Sequence, residues 1–143
     1  MPDDSANADP LVEPLAPATV GDQIRLVLPA EPDYGRIARI AASSLALRLG
    51  LSFAEIEDLR IAVDETIILL LRPAGTGDIT IEFTIEPHAL IIDASTSPEH
   101  HTTDAPLPLD EGARHRFDEI VADTVDVHEV DEAAATVHLV KRY

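Results

Sequence analysis

Apolar and polar residues alternate along the chain with two different periods, and these periods predict its secondary structure. Period two predicts strands over residues 23–28, 79–85, 89–94, 127–130 and 135–140. The turn at Pro87-His88 makes the second and third of these strands antiparallel neighbours. Between the third and fourth strands, residues 95–109 are rich in Ser, Thr, His and Pro, and are predicted to form a long loop.

Helical periodicity predicts a first helix over residues 34–49, with Asp33 as its N-cap and Gly50 just after its end. Its larger apolar side chains are spaced as a stripe that would face the core. The predicted stripe consists of Ile37, Ile40, Ser44, Leu47 and Leu51, widened by Ala41 and Leu45.

A second helix has stronger start and stop signals. Ser52 and Glu55 have the spacing of a capping box, in which each side chain bonds the other residue's backbone N–H. Pro73 and the glycines after it predict an end near Arg72. A third helix is predicted after Asp110, with its inner face formed by Phe117, Ile120, Val121 and Val125.

The order of elements is therefore β, α, α, β, β, α, β, β. It predicts an α/β two-layer sandwich with the helices on one face of a mixed, mostly antiparallel sheet. This domain is expected to cover residues 23–143. Residues 1–22 are rich in Pro and acidic residues with few large apolar side chains, so they are expected to form a disordered tail.

Charge narrows the possible partners of the chain. Ten Lys and Arg residues against 27 Asp and Glu residues give a net charge of −17. Such a surface repels phosphate backbones and anionic membranes, so we expect no direct nucleic-acid or membrane binding and a partner with a basic face. The absence of cysteine excludes a disulfide scaffold, and no signal peptide is evident, so a cytoplasmic protein is predicted.

Two groups of polar residues suggest chemistry but lack the spacing for it. Adjacent His100 and His101, with Asp104 nearby, would rarely converge on one ion, so no metal site is expected. Asp64 and Glu65 are neighbours on a helix and point about 100° apart, so they cannot share a proton. Serine hydrolase chemistry lacks the glycines of a nucleophile elbow.

The start of the second helix resembles a helix of the anti-sigma factors, serine-protein kinases with the histidine-kinase-like ATPase fold. The family pattern is roughly D-L-x-x-A-V-x-E-A-x-x-N, and here Asp58-Leu59, Ala62-Val63 and Glu65 are in register. The order of the predicted elements over residues 23–143 matches the family as well. The resemblance implies an ATPase-like fold and a protein that holds a sigma factor inactive.

The resemblance also implies a nucleotide site, and this chain departs from it. By resemblance, Glu65 would be the catalytic base, but Leu69 stands where the family has a magnesium-binding Asn, and an aliphatic group cannot ligate a hard cation. Asp93 keeps the carboxylate that would bond adenine, whereas Ser95 and Ser97 replace the two glycines of the D-x-G-x-G motif. Beyond Gly77, Gly112 alone remains for a phosphate loop.

These departures predict a degenerate member of the family. The expected function is stoichiometric binding of a sigma factor, an anti-anti-sigma (STAS) protein or both. The first helix is the candidate docking surface, and neither a cofactor nor a metal is expected. Glu65 could then simply pair with Arg60, Arg72 or a backbone group. Two alternatives stay open: an active Mg-ATP-dependent serine-protein kinase that phosphorylates the anti-anti-sigma protein, and a homodimeric scaffold.

Overall fold

Five strands and three helices make up the described part of the chain. The computed structural model describes residues 19–97 and 109–143. The strands are β1 (Gln23–Pro29), β2 (Asp78–Glu86), β3 (Ala89–Ser97), β4 (Val127–Asp131) and β5 (Thr136–Arg142). The helices are α1 (Gly35–Arg48), α2 (Phe53–Ala74) and α3 (Glu111–Val121), and a short 3-10 turn (Pro32–Tyr34) precedes α1. The predicted order of elements is confirmed.

The strands form one sheet in the order β1-β2-β3-β5-β4, and every neighbouring pair is antiparallel. The predicted parallel component is therefore wrong for the described strands. Two helices connect β1 to β2, so the chain reverses direction an odd number of times and returns antiparallel. The connection through the single helix α3 makes β4 parallel to β3. These two strands do not pair, however, because β5 lies between them in the sheet.

Period-two alternation gives the sheet one buried and one open face, as expected for helices on one side only. On β2, Ile79, Ile81, Phe83 and Ile85 are almost fully buried, while the residues between them are half-buried. Helix α2 packs on the buried face, with α1 along one of its sides and α3 along the other. The core therefore lies between the sheet and α2.

The inward face of α1 coincides only partly with the stripe that its sequence predicts. Leu45 and Leu51 of the predicted stripe are buried. The rest of the buried face is formed by Ala38, Ala42 and Ala46, whereas the predicted residues Ile37, Ile40, Ser44 and Leu47 are exposed. Small side chains let α1 lie close to α2; a Cβ added to Gly35 would come within 3.4 Å of Ile67. Both stripes fit helical spacing, and close packing selects the alanine stripe.

The ends of the helices follow the predicted signals except at the start of α1 and at the end of α2, which continues through Pro73 to Ala74. The Glu55 amide donates to Ser52 Oγ at 3.3 Å and the Ser52 amide donates to Glu55 Oε2 at 2.7 Å, which confirms the capping box. Gly50 follows α1 with φ +81°, as predicted. Asp33 does not cap α1, because it lies inside the 3-10 turn that leads directly into the helix, and Tyr34 is the N-cap.

Two boundary regions differ in extent from the sequence predictions. Strand β3 continues to Ser97, so the predicted loop at residues 95–109 does not begin at Ser95. At the other boundary, the Gly21 amide donates to the Ile85 carbonyl at 2.7 Å and the Ile85 amide donates to the Asp22 carbonyl at 3.0 Å. This end of the predicted tail is therefore bonded to the sheet. Residues 1–18 and 98–108, including His100, His101 and Asp104, lie outside the described residues.

Candidate functional site

Glu65 of α2 is buried and is held by an arginine that the sequence did not suggest. The residue is 8% exposed, and its Oε1 accepts from Arg116 Nη2 of α3 at 3.2 Å. The expected alternatives are engaged elsewhere: Arg60 bonds Glu57, and Arg72 lies 3.3 Å from Asp110. Arg116 lies 51 residues beyond Glu65, so sequence spacing could not identify it.

Leu69 lies one helical turn beyond Glu65 on the same side of α2. Residues four apart on a helix are neighbours on its surface, so the side chain occupies the place next to the Glu65 carboxylate. Leu69 is 2% exposed and belongs to the hydrophobic core. Its position is therefore filled by an aliphatic group, with no oxygen to offer.

Asp93 lies in the middle of β3, on the open face of the sheet. Its neighbours Ile92 and Ala94 point into the helix-covered core, whereas Asp93 is exposed. Its Oδ1 lies 2.6 Å from Nδ1 of His138 on β5. The sheet thus separates Asp93 from Glu65, and the two carboxylates do not share one cavity.

The charged side chains of the open face form a row across all five strands. The strand register places Arg25, Glu82, Asp93, His138 and Glu129 side by side. Arg25 Nε lies 3.6 Å from Glu82 Oε1. The row lines a shallow groove of about 410 Å³. Such a row is typical of a solvated sheet face whose neighbouring charges partly balance each other.

Ser95 and Ser97 occupy regular strand positions. Ser95 pairs with Thr80 on one side and Thr136 on the other, and Ser97 pairs with Asp78. In the family pattern, glycines at these two positions would let the backbone turn and approach a base. In this chain both residues instead continue the regular backbone pairing of β3.

The N-terminus of α3 is closed by an acidic side chain. The Gly112 amide donates to Asp110 Oδ1 at 3.2 Å, and the other oxygen of Asp110 lies 3.3 Å from Arg72 Nη1. A carboxylate that occupies this position satisfies the helix and repels a second anion. The glycine that remained for a phosphate loop is therefore part of a capped helix start.

The outer side of α1 forms a groove with the first turns of α2. This α1–α2 groove measures about 660 Å³ and is lined by Arg36, Arg39, Ile40, Leu47, Ile56 and Arg60, among others. Ile40 and Leu47 are 61% and 57% exposed. Both residues belong to the stripe that helical spacing predicts to face the core, because spacing alone cannot distinguish an apolar stripe that packs on the core from one that faces outward.

Charge sets the α1–α2 groove apart from the rest of the molecule. Helix α1 contains three arginines and no acidic residue, within a chain of net charge −17. Arg39 Nη1 bonds Asp64 Oδ1 at 2.9 Å, and Arg60 Nη1 bonds Glu57 Oε1 at 2.6 Å. The groove therefore combines exposed apolar side chains with a local excess of positive charge.

Within residues 19–97 and 109–143, no group of three His, Asp or Glu side chains could hold a metal ion. Across the same ranges, no helix has the length and apolar character needed to cross a membrane.

Comparison with known proteins identifies relatives over about half of the chain. The serine-protein kinase RsbW of Listeria innocua is 44% identical over 71 residues, which are 50% of this chain and 45% of the relative. The protein of the same name from Oceanobacillus iheyensis is 40% identical over 76 residues, 50% of this chain and 48% of the relative. That of Bacillus subtilis is 38% identical over 66 residues, 43% of this chain and 41% of the relative.

No family model matches the chain. The chain spans about half the length of the curated relatives it matches. The names of these relatives nevertheless agree with the resemblance that the α2 motif suggested. The order and layering of the elements agree with the fold that this resemblance implied. Over about half of its length the chain is thus similar to the serine-protein kinases named RsbW, and its described residues form a two-layer fold consistent with that of the histidine-kinase-like ATPases.

Proposed function

We propose that this chain is an anti-sigma-factor-like regulator that acts by stoichiometric protein binding and no longer uses ATP. The observation that carries the proposal is Leu69, whose side chain fills the core at the position of the family's magnesium-binding Asn. Magnesium requires oxygen ligands in near-octahedral geometry, and none replaces the missing amide at this place on α2.

The other nucleotide positions support the same proposal. Glu65 bonds Arg116, and Asp93 lies across the sheet beside His138. Ser95 and Ser97 are part of the β3 ladder, and Asp110 caps α3. The residues present therefore do not fit a nucleotide with its metal ion.

The α1–α2 groove is the surface that we propose for the partner, a sigma factor or a STAS protein. Exposed apolar side chains at its centre with arginines around them resemble the anchor and rim of a protein interface. The net charge of −17 favours a partner with a basic surface overall, whereas α1 itself favours acidic residues at the point of contact. The proposed partner therefore presents apolar and acidic side chains to α1.

Thermal melting with and without millimolar Mg-ATP tests the loss of nucleotide binding. When the ATP concentration is 100 times the dissociation constant, a protein that binds ATP gains about 2.7 kcal/mol in its free energy of unfolding. This gain raises the melting temperature by several degrees. We expect no change for this chain, with the Bacillus subtilis relative as the positive control. A clear rise in the melting temperature would support the alternative, an active serine-protein kinase. The name of the relatives and the retained Glu65 carboxylate favour that alternative.

Co-purification from the native host, followed by mass spectrometry, tests the partner. We expect a sigma factor or a STAS protein with the unmodified chain, and its loss in the Leu47→Ser variant. Val27→Ser is the matched control, because Val27 is equally exposed, at 56%, but lies on the open face of β1. Recovery of neither protein class, or equal recovery with both variants, would contradict the proposal.

A further inference from the structure

We infer that strand β1 pairs with β1 of a second copy of the chain, so that two sheets join edge to edge. Strand β1 is the last strand at one end of the sheet, and no strand among residues 19–97 and 109–143 pairs with its outer side. An edge of this kind presents a row of backbone N–H and C=O groups that another strand can complete.

The hydrogen bonds at both ends of β1 identify which of its backbone groups face outward. The Ile85 amide donates to the Asp22 carbonyl, and the Ala30 amide donates to the Gly77 carbonyl. Alternate residues of a strand direct their N–H and C=O groups to opposite sides. The even-numbered residues of β1 therefore bond β2, and the odd-numbered residues point away from the sheet.

The outward-facing residues of β1 are Gln23, Arg25, Val27 and Pro29. The first three offer both a donor and an acceptor, and Pro29 offers a carbonyl only. A proline at this position costs no bond to β2, because its nitrogen lies on the outer side. The outer side of β1 is thus a regular strand edge with an intact row of hydrogen-bonding groups over 23–27.

The two edges of the sheet differ in charge and in length. Strand β1 has seven residues and no acidic side chain, within a chain of net charge −17. Strand β4, at the other edge, has five residues and includes Glu129 and Asp131. Acidic side chains on a short edge strand oppose pairing with another acidic molecule. A second copy therefore meets less repulsion at β1 than at β4.

The apolar face of β1 is also less covered than that of its neighbour. Ile24 and Leu26 are half-buried, whereas Ile81 and Phe83, opposite them on β2, are almost completely buried. Side chains of an edge strand have a neighbouring strand on one side only. A second β1 would supply the missing neighbour and bury more apolar surface.

A two-fold arrangement centred on Leu26 satisfies both the hydrogen bonds and the charges. It sets Arg25 opposite Val27 of the second copy, and it forms about six hydrogen bonds between the chains. On the helix side, Leu26 meets Leu26 of the second copy, and Ile24 meets Leu28. The contact is isologous, so it closes at two copies.

Other registers of the same pairing are less favourable. A centre at Arg25 would set two arginines directly opposite each other, and like charges in that position are destabilising. A centre at Ile24 would place Asp22 opposite Leu26 on the apolar side. It would also bring Gly21, whose φ of +93° is not that of a strand, into the ladder.

Sedimentation equilibrium and amide hydrogen exchange on the full chain test the pairing. We expect a dimer whose dissociation constant falls as NaCl screens the repulsion between two copies of net charge −17. We also expect the amides of Arg25 and Val27 to exchange more slowly as the protein concentration rises. A monomer up to about 1 mM, a dimer in which these amides stay unprotected, or growth into longer assemblies would overturn the inference.

A proline substitution tests the backbone contact. Val27→Pro removes the outward N–H and leaves the bonds between β1 and β2 in place, so we expect the dissociation constant to rise about tenfold or more. Val27→Thr is the matched control, because it is β-branched and keeps the N–H, and it should change the constant by about twofold or less. Equal constants for the two variants would contradict a backbone contact at β1.

A pair of charge substitutions tests the register and does not depend on the folding of the proline variant. Because Arg25 of the second copy lies opposite Val27, Val27→Lys should weaken the dimer and Val27→Glu should strengthen it, each by about two- to tenfold. Net charge alone predicts the reverse order, since lysine lowers the negative charge of each chain and glutamate raises it. That reverse order, or no difference, would overturn the proposed register.

These measurements involve neither a nucleotide nor another protein. A failure of the β1 pairing therefore leaves the proposed partner binding at the α1–α2 groove untouched, and a failure of partner capture leaves the pairing untouched.

Discussion

Single residues decide what the surroundings of Glu65 can do. Arg116 donates to the buried Glu65 carboxylate from its exposed position on α3. Removing Arg116 would leave that buried carboxylate without this partner, so the pair stabilises the contact between α2 and α3. Leu69 lies one helical turn beyond Glu65, and its side chain contributes to the core that α2 shares with the sheet.

Replacing Leu69 by Asn should destabilise the protein without restoring Mg-ATP binding. The change removes a buried aliphatic group and buries an amide among apolar neighbours, so we expect a loss of about 2–5 kcal/mol in the free energy of unfolding. Urea denaturation measures this loss. Ile68→Asn is the control, since Ile68 is 41% exposed and should cost about 1 kcal/mol or less. Phosphate transfer by Leu69→Asn alone would contradict this prediction, because it would show that the other departures from the family's nucleotide site do not prevent catalysis.

Glu55 makes part of the stability dependent on pH. The backbone amide of Ser52 donates to its carboxylate and, with the Ser52 hydroxyl, holds the pKa of Glu55 below its ordinary value of 4.5. A lowered carboxyl pKa stabilises the folded state above the unfolded pKa, and this contribution disappears as the pH falls through the folded pKa. We therefore expect stability in urea to decline below about pH 4.5 partly through this group.

The Glu55→Gln variant isolates that contribution, because an amide can accept the same hydrogen bond but does not titrate. The difference in unfolding free energy between the two proteins should be constant above pH 4.5 and change below it. Glu31→Gln is a suitable control, since Glu31 makes no capping hydrogen bond. A difference that is independent of pH would contradict the role of the capping box.

At the scale of elements, α1 is the least expected part of the fold. Its alanine face packs against α2, and its isoleucine and leucine face forms one wall of the α1–α2 groove. A helix that exposes its larger apolar residues is typical of an interaction surface. The two faces of α1 therefore differ in role. The small side chains pack in the domain and stabilise it, and the large ones are exposed for contact with another molecule.

Substitutions on opposite faces of α1 should have unequal consequences for the free energy of unfolding. Ala42→Leu adds atoms to a fully buried position and should cost about 1–3 kcal/mol. Leu47→Ala removes atoms from an exposed position and should change the unfolding free energy by about 0.5 kcal/mol or less. Thermal or urea denaturation at several protein concentrations measures both. A large, concentration-dependent effect of Leu47→Ala would instead indicate that a second copy covers this face.

At the scale of the whole molecule, net charge and local charge point in different directions. The chain has 17 more acidic than basic residues, yet α1 contains only basic ones. Repulsion among the many carboxylates opposes the compact state and keeps molecules apart in solution. The same field leaves α1 as a basic region on an acidic molecule.

Salt should therefore stabilise the fold at neutral pH. Raising NaCl from about 0.01 M to about 1 M shortens the screening length from about 30 Å to about 3 Å, which removes most of the repulsion. We expect a rise of a few degrees in the melting temperature. Near pH 4.4, the isoelectric point, this rise should become much smaller. An equal rise in the melting temperature at both pH values would instead indicate that salt acts by strengthening the burial of apolar surface.

The sequence by itself determined the features that depend on near neighbours. The order of elements, the capping box at Ser52 and Glu55, and the family motif on α2 each arise within a few residues. Local hydrogen bonds and hydrophobic periodicity encode such features directly. The inability of Leu69 to ligate magnesium also follows from the side chain alone.

Only the tertiary structure decided which parts of the chain meet. The burial of the alanine face of α1, the pairing of Glu65 with Arg116 and the exposure of Asp93 beside His138 all depend on residues far apart in sequence. Volume and charge at such contacts are set by the packing of whole elements, and each local pattern was compatible with more than one arrangement. Close packing selected one of them, and it placed Glu65 and Asp93 on opposite sides of the sheet.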